Sequence, residues 1–205
     1  MMWTKNELDF ILQFKKPYDI QLFLDSVPYN PNAECRSPRQ VIAEKKAHCF
    51  EGALFAAAML RELGFKPLIL DMLTENDDDH VIAVFKIRDR WGALAKSNTT
   101  ALRYREPVYR SIRELIMSYF DFYFNTLGDK SLRSYSRPVN LSRFDNKNWS
   151  QTDSDLEYIG DYLTRIPHYP LLDTESIKQL QRTDQKLMDA VFLGANAEGL
   201  FKPEE

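Results

Sequence analysis

The stretch that most constrains this chain runs from Phe50 to Leu63. It is rich in alanine and leucine, has no proline, and stops before Gly64, where a helix-ending glycine is expected. Its only polar side chains are Glu51, Arg61 and Glu62. An exposed helix is polar over about half its surface, so this spacing predicts a helix buried on most sides. Cys49 stands at its first turn.

After Gly64 the pattern changes period. Residues 67–73 read as a strand, and residues 74–79 as a polar, acidic loop ending in Asp77-Asp78-Asp79. Residues 80–87 form an apolar run that starts at His80 and reads as a central strand. Arg88-Asp89-Arg90 reads as a three-residue turn, and residues 91–97 return as a third strand. That turn pairs Ile87 with Trp91 and sets Asn98 opposite His80, on the same face. A slip of one residue substitutes Ser97.

A cysteine at a helix start is in a reactive position. The helix dipole and a nearby imidazolium favour its thiolate, and unpaired amides of the first turn can hold an oxyanion. On this basis Cys49 is expected to react with iodoacetamide well below the pH needed for a free cysteine. The order of helix-start cysteine, strand-start histidine and polar residue on the next strand describes a triad of Cys49, His80 and Asn98.

Three segments carry a family resemblance: His48-Cys49-Phe50-Glu51-Gly52-Ala53, Asp79-His80-Val81 and Trp91-Gly92-Ala93. They resemble the transglutaminase-like superfamily, itself related to papain-like cysteine proteases. The resemblance spans residues 37–98. It implies an α+β fold in which a central buried helix packs on an antiparallel sheet, here with additional C-terminal helices. It also implies acyl transfer or amide and peptide hydrolysis. In that family the third residue is usually Asp, but Ala95 stands at that spacing here and Asn98 is the papain-type choice. By analogy with papain-like enzymes, Gln40 is a candidate oxyanion donor. The implied partners are a peptide or protein amide, or a small acyl donor, with no cofactor. The alternative is an inactive fold of this type acting as a protein-interaction module.

The remaining features bound the reading. Two cysteines, Cys35 and Cys49, give no disulfide framework, and a free thiol fits a cytoplasmic location. The first residues lack the apolar core of a signal peptide, and no apolar run reaches the length of a membrane span. A net charge of −3 does not favour nucleic acid. No CxxC or HxxxH spacing supports a metal site at His48, Cys49 and His80, and the aspartate run reads as a solvated loop. Trp91, Arg103 and Arg105 are candidate substrate contacts; for the arginines, recognition of an acidic group competes with a surface of ion pairs.

Short helices are expected over residues 6–14 and 18–26. Ser37-Pro38 opens a helix running to Lys46. Farther on, helices are expected over 108–123, 156–164 and 174–192, strands within 132–141, and a rigid loop over 166–170. The chain reads as one domain, 1–205, with a weak boundary near 145–155. The sequence fixes no oligomeric state.

Overall fold

The computed structural model describes residues 3–203. Four helices come first: α1 (Lys5–Ile11), α2 (Pro17–Ser26), α3 (Pro38–Glu44) and α4 (Cys49–Glu62). Strands β1 (Leu68–Thr74), β2 (His80–Ile87), β3 (Arg90–Leu94) and β4 (Arg105–Tyr109) follow, then α5 (Ile112–Phe120). Next come β5 (Leu132–Ser136), β6 (Val139–Asn140) and a 3-10 turn, Leu141–Lys147. The chain closes with α6 (Glu157–Arg165), β7 (His168–Pro170), α7 (Thr174–Lys178) and α8 (Gln185–Val191). The strands form one antiparallel sheet in the order β4-β3-β2-β1-β5-β7, with β6 added to β1. The class is α+β.

The all-round apolar character of α4 has its expected result: Phe50 through Leu60 are buried. Gly64 then takes a positive φ of 86° that other residues resist. There the Phe65 amide donates back to the Leu60 carbonyl at 2.9 Å and ends the helix.

Alternation along β2 explains why it is apolar on both sides. Val81, Ala83 and Phe85 join the core around α4. Ile82 and Val84 join a second core, on the other face, with Leu115, Ile116 and Tyr119 of α5. Each fully buried side chain of this size contributes about 1.5–3 kcal/mol, so β2 is held from two directions.

The β2–β3 turn differs from the expected one. Arg88 and Asp89 both take positive φ, 46° and 59°, which makes a two-residue turn of the primed kind suited to hairpins. Ile87 therefore pairs with Arg90 and Lys86 with Trp91, one residue away from the expected register. The ladder ends at Ala83–Leu94 rather than reaching residue 97.

The second half departs further. Residues 105–109, the last two of them within the helix expected over 108–123, form β4 at the edge of the sheet. Pro107 is tolerated there because an edge strand has a side without a ladder. Ser111 then caps α5, its Oγ accepting from the Glu114 amide at 3.1 Å. The loop expected at 166–170 contains β7, and the helix expected over 174–192 is split into α7 and α8. Between them the Thr183 amide donates to the Gly128 carbonyl, and Asp184 caps α8.

Residues 145–155 pack onto the helical side. Trp149 is buried in the α4 core, Arg61 forks onto Asp145 at 2.7 Å through both nitrogens, and the Arg39 amide donates to the Ser150 carbonyl. No helix among the described residues is long and apolar enough to cross a membrane.

Candidate functional site

Where β3 peels away, the free edge of β2 meets the start of α4. The Cys49 thiol donates to the Asp79 carbonyl at 3.9 Å, and the Val81 amide points back at the sulfur. Cys49 is thus seated on the backbone on either side of His80. Both residues line a cavity of about 560 Å³.

His80 is 5% exposed. Its Nε2 lies 3.0 Å from the Leu102 carbonyl. A carbonyl can only accept, so Nε2 carries the proton and Nδ1 of the neutral ring carries the lone pair. Nδ1 has no hydrogen-bond partner among the described residues. The edge of the Tyr123 ring packs against the imidazole, with centroids 6.4 Å apart. Burial pushes His80 down to about 4, against the smaller opposite pull of the Leu102 carbonyl.

The thiol is not activated in the way its helix-start position suggests. Burial pushes Cys49 up to about 11. Amides of Val81 and Phe50 pull it down, while the charges of Asp78 and Asp71 push it up. In the free protein the pair is therefore a neutral thiol and a neutral imidazole. Cys49 and His80 make no hydrogen bond to each other among the described residues.

Asn98 is engaged elsewhere. Its amide nitrogen donates to the Asn196 carbonyl at 2.9 Å, and its oxygen accepts from the Asn196 amide at 2.8 Å. Ser97 bonds Thr99, not His80. The partner of His80 Nε2 is the main chain at Leu102, which no side-chain motif reveals. Gln40 is spent within α3, where its Oε1 accepts from the Ser37 amide at 2.9 Å.

Trp91, Arg103 and Arg105 do not line the main cavity. Lys86 sits over the Trp91 ring, Arg103 pairs with Asp25 at 3.2 Å, and Arg105 is turned inward onto backbone carbonyls and Ser118.

Residues not singled out from the sequence complete the site. The Cys49 amide is directed at the Tyr29 phenol. Burial, together with the nearby charge of Asp78, pushes that phenol well above its ordinary range. Glu51 is fully buried and ties the loop before α3 to the start of α4. It accepts from Asn30 Nδ2 at 3.0 Å, the His48 amide at 2.9 Å and the Arg36 amide at 3.2 Å. A glutamate three residues into a helix is a capping signature, and that signal was present in the sequence.

The rim is acidic and aromatic. Asp77, Asp78 and Asp79 lie on one side. Asp77 accepts from Ser131 Oγ at 2.6 Å and Asp79 from the Thr74 amide at 2.7 Å, so these carboxylates face separate partners. Phe122, Tyr123 and Phe124 also line the cavity, with Phe192, whose ring packs edge-on against Phe124, and residues 198–202.

A family model described as a transglutaminase-like domain matches residues 1–96. No curated protein matches the chain. The matched stretch contains Tyr29, Glu51, Cys49 and His80, whereas Leu102, Tyr123 and residues 198–202 lie outside it.

Proposed function

We propose that this protein forms and resolves a thioester on Cys49, as a cysteine-dependent acyl transferase or amide hydrolase with His80 as its base. The observation that carries the reading is the seat of the Cys49 sulfur against the backbone of Asp79 and Val81, beside a histidine whose Nε2 is occupied and whose Nδ1 is not.

The sulfur attacks the acyl carbon and forms the S–C bond as Nδ1 takes the thiol proton. The oxyanion is held by the Cys49 amide and the Tyr29 hydroxyl, donors that face each other in the free protein. The imidazolium returns its proton to the leaving amine as the C–N bond breaks. Water, or a second amine, then attacks the thioester and gives a proton to Nδ1. The S–C bond breaks, and that proton restores the thiol.

Burial holds the Cys49 thiol protonated and the His80 ring neutral, so moving the proton before attack is uphill. Proton transfer is therefore coupled to S–C bond formation. Leu102 supports the imidazolium with a carbonyl dipole rather than a full charge. The acidic rim favours a substrate with a cationic group near the scissile bond.

A second reading is a protein-interaction module that keeps the fold without turnover. The missing Cys49–His80 hydrogen bond and the neutral thiol favour it. The deciding experiment incubates the protein with activated esters and glutamine-containing peptides and reads acylation at Cys49 by mass spectrometry. An adduct that is absent in Cys49→Ala and at least tenfold slower in His80→Gln supports the enzyme. No Cys49 adduct with any donor supports the module.

A further inference from the structure

We propose that Arg105 and Tyr119 are positioning residues that fix the proton on His80 Nε2, by clamping the loop that presents the Leu102 carbonyl. This rests on the reading of His80 as the base.

The loop needs a clamp. Residues 95–104 leave the sheet after β3 and rejoin it at β4 without a ladder of their own. The carbonyl that accepts from the imidazole, Leu102, lies between two carbonyls that are each held. Arg105 Nη1 donates to Ala101 at 3.1 Å and to Tyr104 at 3.0 Å. The Tyr119 hydroxyl donates to Arg103 at 2.7 Å. The Leu102 side chain is itself buried in the core under α5.

The two holders also brace each other. The Arg105 guanidinium lies 3.9 Å over the fully buried Tyr119 ring. Its Nε donates to Ser118 Oγ at 2.9 Å and its Nη2 to the Ser118 carbonyl at 3.2 Å. Such a planar fork fixes several acceptors at once, which a lysine cannot do. The loop is thereby referenced to α5, which also leads into Tyr123 at the imidazole edge.

The chemical consequence is a choice of tautomer. With Leu102 fixed, the proton stays on Nε2 and the lone pair stays on Nδ1. With Leu102 free to move, the proton distributes over both nitrogens, and part of the protein loses its base. A side-chain third member would do this work directly; here the main chain does it, and side chains in contact with neither substrate nor imidazole hold the main chain.

The test is the nitrogen NMR signature of His80 in the full chain at pH 7, together with the rate of Cys49 alkylation by iodoacetamide. The wild type shows the Nε2–H tautomer alone. Tyr119→Phe removes one hydroxyl from the clamp and is expected to show both tautomers and an alkylation rate at least threefold lower. Arg105→Ala is expected to lose more and Arg105→Lys to recover part of the loss. A folded Tyr119→Phe with the wild-type tautomer and rate overturns the proposal, whether or not Arg105→Ala folds. The tautomer is read without turnover, so a clamp that works in a protein whose Cys49 never acylates refutes the enzyme reading and not this one.

Discussion

Burial of His80 has a consequence for stability that pH exposes. The ring has an unfolded value near 6.5 and is pushed down to about 4 in the fold. Between those values the unfolded chain holds the proton and the folded one does not. Stability from this group is therefore complete above about pH 6.5 and is lost as pH falls towards 4. The full difference is about 3 kcal/mol at 1.36 kcal/mol per unit, of which about 2 kcal/mol falls between pH 7 and 5. Asp77, raised to about 6 by burial, works in the opposite sense. Its protonated form is favoured in the fold, so it adds stability as pH falls through 6. The perturbation is His80→Gln, which keeps an N–H donor for the Leu102 carbonyl and cannot titrate. The assay is urea unfolding of both proteins at pH 5, 6 and 7. Every other titrating group is common to the two and cancels in the difference. The stability of His80→Gln relative to wild type is expected to rise by about 2 kcal/mol from pH 7 to pH 5. A flat difference would refute the reasoning, since it would mean that His80 takes up its proton in the fold as easily as in water.

Gly52→Ala is expected to be severely destabilising. A Cβ there would stand 2.3 Å from Lys96 Cβ, and Lys96 cannot retreat because its Nζ donates to the Leu24 and Val27 carbonyls. A loss of about 2–4 kcal/mol in chemical unfolding is the expected reading. Glu51→Ala leaves the Asn30, His48 and Arg36 donors without their acceptor, and a loss of about 3 kcal/mol is expected by the same measurement. Asp78→Asn removes a charge that raises the Cys49 thiol, so the alkylation rate of Cys49, followed from pH 7 to 10, should rise at every pH. An unchanged profile would mean that burial alone holds the thiol neutral. Asn98→Ala should leave the His80 tautomer as in wild type and speed proteolysis near residue 196, because its bonds go to Asn196.

Much of the first half was legible because its signals are local and redundant. The composition of residues 50–63 admits little besides a buried helix, and period and length marked the two strands after it. The hairpin register was not legible. Arg88 gives no hint that it will take a positive φ, a conformation usually signalled by Gly or Asn, and a two-residue turn moves every pairing by one. β4 was hidden by Pro107 and by an alternation that buries no residue fully. The break between α7 and α8 follows from the Thr183–Gly128 hydrogen bond, a tertiary contact with no local signature. Residue type and order single out Cys49 and His80, and the two line one cavity. Asn98 was inferred from a register that does not form, and the group in contact with His80 is a carbonyl that every residue possesses. Helix-start chemistry suggested an activated thiol, but the burial that raises it most, and the added charges of Asp78 and Asp71, arise only through the fold.

The cleft is a seam between two parts of the chain with different standing. The thiol and the imidazole lie in the stretch that resembles a transglutaminase-like domain, while Leu102, the aromatic rim and residues 198–202 lie beyond it. Substitutions past residue 96 can therefore reshape what the cleft admits without touching Cys49 or His80. A fragment cut at residue 96 would retain both of those side chains, but it would lack β4 through β7, the Leu102 carbonyl and one wall of the cavity.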